Sequence, residues 1–442
     1  MNTLELRPAM PSQGTPDWPG ARWIGSVDRA ASAVADRIVL HESEQYDRAR
    51  LLVKDAGAVL GFVDVTVTLG VVDLPELHAA LSAFGDLEAT QDTPSGGPRV
   101  TVVVCTRDRV EHLRTAMRAI LDLDYHDFDV VVVDNASSTE ETAEFIRDEL
   151  ADPRVSFLKE PVAGLARARN TGLLAATGEI IAFTDDDVVV DAAWLTRLVA
   201  AFRSAPNVGC VSGLVPSGEL RTRVQGYFDD RVSWSKNLQR RQYSLAEPPA
   251  DLPMFPFSVG AFGTGANFAL TRRVALELGG FDPALGVGTP TGGGEDIDMF
   301  ARVILDGRTL VVDPSAIVWH RHRDDLAALR TQARGYGTGL GAWLTKVMLT
   351  PSTAGLALRR GGSGVLRLVS LASTSAAAPE ERASRASTPE ELAWSREAAA
   401  VGRLELRSVL VGPIRYLAQG RRHSGISTDD ASSLGSLEAV AR

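Results

Sequence analysis

The sequence predicts an α/β fold. A mostly parallel sheet covered by helices is preceded by a small N-terminal α+β domain and followed by a helical C-terminal extension. Three observations carry this. Four apolar runs between Val100 and Phe183 alternate with segments of helical spacing, and strands buried on both faces that alternate with helices form parallel sheets. Polar residues gather where these runs end, which is where ligands sit in such sheets. The stretch Gln91–Pro98 (QDTPSGGP) separates this region from an earlier one of different texture.

The chain has 442 residues, so about one domain per 150 residues suggests two or three. Residues 1–20, with four prolines, read as a loose, disordered lead-in. Residues 21–90 read as the small α+β domain. Ala49–Val53 and Gly61–Thr68 are its extended runs, and Asp73–Phe84 places Leu74, Leu77, Leu81 and Phe84 on one helical side. Residues 91–98 are the linker.

Residues 99–325 hold the main domain. Val100–Cys105 is its opening strand, and Arg109–Leu123 the helix after it. Val130–Val133, Val155–Leu158 and Ile180–Phe183 are further strands, with helices over Glu140–Leu150 and Leu165–Ala176 between them. A helix over Ala192–Phe202 leads to a strand over Val208–Val215, and residues 216–262 read as irregular. Gly263–Leu270 is extended, Val274–Leu278 is a short helix, and Thr289–Gly294 is a glycine-rich loop before a helix over Ile297–Leu305. Leu310–Val312 and Ile317–His320 end the domain. Residues 326–425 read as the helical extension, with a flexible segment over 372–390 and helix around Pro389–Ala400. Residues 426–442 read as a disordered tail.

Hydrophobic residues make up 45% and charged residues 23%, an ordinary globular composition. The net charge of -10 argues against a general nucleic-acid binder. Residues 1–97 hold 14 acids and 7 bases, whereas 326–370 hold six bases and no acid, so the two ends present different surfaces. The two cysteines, Cys105 and Cys210, lie in apolar runs and read as buried thiols of a reducing compartment. No signal-like or membrane-spanning run is visible, and a cytoplasmic protein is expected.

Asp185-Asp186-Asp187 directly follows an apolar strand. Adjacent carboxylates repel unless a cation neutralises them, and hard oxygen ligands suit Mg²⁺ or Mn²⁺. Alternation along an extended chain points Asp185 and Asp187 one way and Asp186 the other. As a bare triplet it reads better as a solvated acidic turn, and its place at a strand's carboxyl end makes the metal reading the better one. Asp134-Asn135 ends the second strand, where a carboxylate can accept from a ribose or base, though a turn explains it as well. Arg167 and Arg169 in GLARARN open a helix and suit diphosphate oxygens, or a solvated face. Glu295 and Asp296 follow three glycines. Such a loop can close over substrate and its acid can take a proton, while two acids in a first turn also simply complement the helix dipole. His320 and His322 share a face by alternation and offer a metal ligand or phosphate contact. No P-loop or dinucleotide fingerprint is present.

The order of these pieces resembles family 2 glycosyltransferases, inverting enzymes with the GT-A fold and its Rossmann-like nucleotide-binding half. The carrying residues are VTVVVCTRDR (Val100–Arg109), VVVVDNAS (Val130–Ser137), GLARARNTG (Gly164–Gly172), FTDDD (Phe183–Asp187), GTGANFALTRR (Gly263–Arg273), GGFDP (Gly279–Pro283) and GGGEDIDM (Gly292–Met299). The resemblance covers about residues 99–325. It implies that Thr106, Arg107 and Asp134 line the nucleotide and that Arg169 lies near the diphosphate. Asp185, Asp186 and Asp187 form the DXD region, with Asp185 near the ribose and Asp187 on the metal. Asp296 is implied as catalytic base, Glu295 before it as a catalytic residue that supports the acceptor site, and His320 or His322 as a further metal or diphosphate contact.

The implied reaction moves one sugar from a UDP-, dTDP- or GDP-linked donor to an acceptor hydroxyl with Mg²⁺ or Mn²⁺. The acceptor expected is a cell-envelope or lipid-linked glycan, then a small metabolite. Processive relatives carry Q-x-x-R-W after the base, whereas Gln239-Arg240-Arg241 precedes it and lacks the tryptophan, so a single transfer is expected. Two rivals are a nucleotide-sugar-binding or partner-recruiting module with degenerate activity, and a sugar nucleotidyltransferase. Intact acidic motifs oppose the first. The second more often has a glycine- and arginine-rich loop after the first strand.

Leu326, Leu329, Ala333, Tyr336, Leu340, Trp343 and Val347 step by 3 and 4 along one helical face, with Arg330, Arg334 and Lys346 elsewhere. Glycines 335, 337, 339 and 341 weaken this helix by about 1 kcal/mol each relative to alanine. A helix packed on the main domain is expected. The sharper alternative is a peripheral contact with anionic lipid at the inner face of the membrane.

Overall fold

The computed structural model describes residues 2–85, 96–232, 235, 238–360 and 388–419. Its N-terminal unit is a sheet of β1 (Thr3–Leu6), β2 (Trp23–Asp28), β3 (Arg37–Leu40), β4 (Arg48–Asp55), β5 (Ala58–Thr68) and β6 (Val71–Val72), in the order β1-β3-β6-β5-β4-β2. The helix Leu74–Ser82 buries Leu77 and Leu81 against it, capped by the Asp73 carboxylate accepting from the Glu76 amide at 2.9 Å.

The expected loose lead-in is corrected. Thr3–Leu6 pairs in parallel with β3, and Met10 is buried with Ile24, Leu52, Ile317 and Trp319 between the two units. The alternation in TLEL is only half-buried, so it carries little apolar signal. Arg50 Nη1 meets Asp229 at 2.7 Å across the same interface.

The second sheet is formed by β7 (Val100–Thr106), β8 (Phe128–Asn135), β9 (Val155–Glu160), β10 (Ile180–Thr184), β11 (Val188–Val190), β12 (Val208–Leu214), β13 (Arg241–Tyr243), β14 (Asn267–Thr271) and β15 (Thr309–His320). Its order is β11-β15-β12-β14-β10-β7-β8-β9, with β13 beside β15. The half β10-β7-β8-β9 is parallel, as the apolar runs predict. The other half is mixed, because β14 lies antiparallel between β10 and β12. Residues along β7 alternate between two cores. Val102 and Val104 meet Leu113, Met117 and Trp194, whereas Val103 and Cys105 meet Leu173, Phe268 and Phe300. Both cysteines are buried free thiols, and burial pushes the Cys105 thiol up to about 12.

The region expected to be irregular, 216–262, contains the helix Arg223–Arg231 and β13. The helix starts on a capping box of Thr222 and Gln225. Its polar sequence hides it, since its apolar residues Val224 and Phe228 pack with Leu329, Ala333 and Val401 of the extension. That extension includes the helices Leu326–Leu349, Pro389–Val409 and Gly412–Ala418. Thr388 caps the second, so residues 388–390 begin a helix rather than a flexible segment. The rest of that expected flexible segment, the tail 426–442 and most of the linker lie outside the described residues.

Leu326–Leu349 runs unbroken through its glycines. Leu329 and Ala333 pack with Val224, Phe228 and Val401, and Trp343 and Val347 join the core beneath Phe257 and Phe300. Leu329, Ala333, Trp343 and Val347 of its apolar face are therefore packed on protein, as expected for a helix lying on the main domain, while Tyr336 stays exposed. Among the described residues no helix is long and apolar enough to cross a membrane.

The glycines explain the packing. A Cβ on Gly339 would lie 2.6 Å from Gly293 C, and one on Gly335 2.8 Å from Gly292 O. On the opposite side a Cβ on Gly337 or Gly341 would strike the carbonyls of Glu405 or Val409. Only glycine allows this approach of backbones on two sides.

Candidate active site

The site lies beyond the carboxyl ends of β7, β8 and β10. Register sets it: Thr106 pairs with Asp134, and Thr184 with Val104. The chain past β10 therefore lies beside the end of β7. Thr106 Oγ1 donates to Asp186 Oδ2 at 2.7 Å, and Arg109 Nη1 reaches Asp186 and Asp187 at 3.2 and 3.1 Å. Asp186 thus turns toward β7. Burial and the adjacent Asp187 push its carboxyl up to about 7, against Arg109 and Thr106.

Asp185 and Asp187 meet His320, which ends β15, and Asp187 shares Arg109 with Asp186. One ligand atom from each of Asp185, Asp187 and His320 lies within 4.8 Å of the others. His320 Nε2 is 3.2 Å from Asp187 Oδ1, and Arg323 Nη1 is 3.7 Å from Oδ2. Burial disfavours the Asp187 charge, yet His320, Arg109 and Arg323 hold its carboxyl well below the usual range. His320 is shifted upward: burial opposes its charge and Asp187 overrides it. Two carboxylates and an imidazole fit Mn²⁺ or Mg²⁺ by donor chemistry, the imidazole leaning toward Mn²⁺.

His322 is outside this set. It is buried against Phe228, ring centroids 4.4 Å apart, and its Nδ1 sits 3.2 Å from Nδ1 of His320. Its Nε2 is buried without a partner.

Arg169 links the acidic cluster to the glycine-rich loop. It is 2% exposed. Nη1 donates to Glu295 at 2.9 Å, and Nη2 to the Gly265 carbonyl at 2.9 Å and to Asp185 at 3.4 Å. Burial, then the charge of Asp296, pushes Glu295 up to about 7 despite Arg169. Asp296 Oδ2 accepts from the Gly265 amide at 2.8 Å, and Oδ1 from the Ile297 amide at 2.8 Å. The helix Glu295–Leu305 is tied to the extension by Asp298, which pairs with Lys346 at 2.9 Å and Arg302 at 2.8 Å.

Asp134 is buried at the end of β8 and accepts only weakly from the Ser137 amide, at 3.3 Å. Arg107 remains about half-exposed, 3.9 Å from Asp108, and joins no part of the cluster. Sequence reasoning assigned no role to Arg109 or Arg323. Their signal was adjacency: Arg109 closes VTVVVCTRDR and Arg323 directly follows His322.

Residues 101–269 match the family model described as Glycosyl transferase family 2. The chain is 30% identical over 257 residues to a pre-mycofactocin glycosyltransferase of Mycobacterium tuberculosis, covering 57% of this chain and 49% of the relative. It is 24% identical over 192 residues to a glucosyl-dolichyl phosphate glucuronosyltransferase of Haloferax volcanii, covering 42% and 57%. The chain thus spans about half the length of the curated relatives it matches. A mannosyltransferase of Pyrobaculum calidifontis, solved with GDP-Man and Mn²⁺, superposes with a TM-score of 0.47 and 20% identity, over 76% of this chain and 93% of that one.

Proposed function

We propose, from the match of residues 101–269 to glycosyltransferase family 2, that the chain is an inverting, metal-dependent glycosyltransferase of GT-A type. It moves one sugar from a UDP-, dTDP- or GDP-linked donor to an acceptor hydroxyl of a cell-envelope or lipid-linked glycan or a small metabolite. The observation that carries this is the span of one guanidinium. Arg169 touches both Asp185 in the acidic cluster and Glu295 beside Asp296. A donor site and a proton acceptor are thereby held at one fixed separation.

In this reading Thr106, Arg107 and Asp134 contact the nucleotide, and Arg109 and Arg323 add positive charge beside the diphosphate. Asp185, Asp187 and His320 would hold Mg²⁺ or Mn²⁺, which stabilises charge on the leaving diphosphate. Asp296 takes the acceptor's proton. The acceptor oxygen forms its bond to the anomeric carbon as the carbon–phosphate oxygen bond breaks, and the electron pair leaves with the diphosphate. One in-line displacement inverts that carbon. The Gly265 and Ile297 amides orient the Asp296 carboxylate, and Glu295 anchors Arg169.

A thermal-shift panel of nucleotide sugars with Mn²⁺ tests it. A donor at 100 times its Kd stabilises the protein by about 2.7 kcal/mol. Asp187→Asn should lose that shift, and Asp296→Asn should keep it while losing transfer. Intact transfer in both variants at saturating donor and metal overturns the assignment, and no shift with any nucleotide favours a binding module instead.

A further inference from the structure

The ring of His322 makes one hydrogen bond, and it is to His320. The residue is 3% exposed, its Nδ1 stands 3.2 Å from Nδ1 of His320, and its Nε2 has no partner. A buried polar atom without a partner costs stability, and an apolar side chain would pack here without that cost. The helix Arg223–Arg231 holds this histidine from two sides. Phe228 lies against its ring at a tilt of 45°, and Gln225 Nε2 donates to its carbonyl at 3.4 Å. Gln225 is itself buried and completes the capping box of that helix.

His320 has both ring nitrogens engaged. Nε2 faces Asp187 Oδ1 at 3.2 Å, and Nδ1 faces His322. Its backbone is fixed as well: His320 pairs with Val188 across the strands, and the Arg321 amide donates to the Asp187 carbonyl at 3.0 Å. Two placements of one proton satisfy the contact between the rings. If His322 donates, His320 turns an N–H toward Asp187, and its Nε2 is no ligand for a cation. If His320 donates, its Nε2 turns a lone pair toward the carboxylates. Histidines that ligate metals are oriented in this second way, by giving the other N–H to an acceptor. A neutral acceptor directs the ring without adding a fourth carboxylate to Asp185, Asp186 and Asp187, which already repel one another.

We propose that His322 is a positioning residue. Its Nδ1 accepts the Nδ1–H of His320, and His320 thereby presents its Nε2 lone pair to a divalent cation held with Asp185 and Asp187. The helix Arg223–Arg231 serves the acidic cluster through Phe228 and Gln225, which hold His322 in place. This rests on the metal-dependent reading and deepens it, since it separates the two histidines into a ligand and the group that orients it.

Mn²⁺ titration of the full chain, read by EPR of the free ion beside melting curves, tests it. His322→Phe keeps a ring against Phe228 and removes the acceptor. It should melt close to the wild type yet bind Mn²⁺ about 10–100-fold more weakly. His322→Leu repeats the loss with a smaller side chain. His322→Asn places Oδ1 where Nδ1 stood and should recover most of the affinity. In pulsed EPR with isotope-labelled histidine, one imidazole nitrogen should couple to Mn²⁺ in the wild type and in His322→Asn, and none in His320→Ala. Unchanged Mn²⁺ affinity in the Phe and Leu variants, a weakening that His322→Asn fails to relieve, or a coupling that survives His320→Ala overturns the proposal and leaves the metal reading standing. A wild type that binds no Mn²⁺, alone or with UDP or GDP, overturns the metal reading and this inference with it.

Discussion

Gly339→Ala places one methyl group where the helix Leu326–Leu349 meets the loop before Asp296. Its Cβ would stand 2.6 Å from Gly293 C and 2.8 Å from Gly293 Cα and O, all backbone, where ordinary contact begins at 3.4 Å. The loop must withdraw by about 0.8 Å. Overpacking of this kind costs about 1–3 kcal/mol, while alanine returns about 1 kcal/mol of helix propensity. The net loss of stability is therefore about 0–2 kcal/mol, a shift of a few degrees in Tm. Turnover suffers far more, because a misplacement near 1 Å in a positioned group costs on the order of 100-fold. The cluster of Asp185, Asp187 and His320, proposed to hold the donor's metal, does not ride on that loop, so donor KM should hold. The assay is steady-state transfer with the donor that gives the largest thermal shift, beside a melting curve. Gly355→Ala is the control, since nothing lies within 4 Å of its added Cβ. It should keep full turnover and gain up to about 1 kcal/mol. A folded Gly339→Ala with turnover within about twofold of wild type would refute the link between the glycine contact and the base.

Two further outcomes follow from buried charge. Arg169→Met leaves Glu295 buried without its cation, and such losses cost about 3–5 kcal/mol. Urea unfolding should show this directly, and a loss under about 1 kcal/mol would mean that Arg169 is dispensable to the fold. Glu295 ionises near 7 in the folded chain and near 4.5 when unfolded. Between those values the folded state keeps a proton that the unfolded state has released, so this group's stabilisation is complete below about 4.5 and fades as pH rises through 7. Glu295→Gln carries no such proton, so its Tm should fall less than the wild type's between pH 5 and pH 8. Parallel profiles from the two proteins would contradict that.

The parts legible in sequence were those fixed by a local rule. Apolar runs of β-branched residues marked β7, β8 and β10. Alternation beyond the last of them grouped Asp185 with Asp187, which do meet at His320, but it missed the bends at Asp186 and Asp187 and the Arg109 that joins those two. What escaped depended on distant segments meeting. The antiparallel insertion of β14 is decided by the long connection over 216–262, whose helix is polar in sequence and apolar only toward Val401 and Leu329. Asp134 at a strand end was readable, but whether Arg107 turns inward was not, since nothing local holds its side chain. The bridge from Arg169 to Glu295 spans 126 positions, and no periodicity reports such a pairing. The four glycines read as a defect in a helix, because the backbones they admit come from elsewhere in the chain.

Those glycines make the helix a spacer of bare-backbone width. Residues 335 and 339 set the distance to one neighbour and 337 and 341 the distance to another, with no side chain available to adjust either. Variation along this helix is then confined to residues that the spacer leaves free, such as Gln332 and Ala333. A grafted extension that keeps this gauge can change its other faces without disturbing Asp296, whereas one built on ordinary helix surfaces would push the loop and Asp296 aside together.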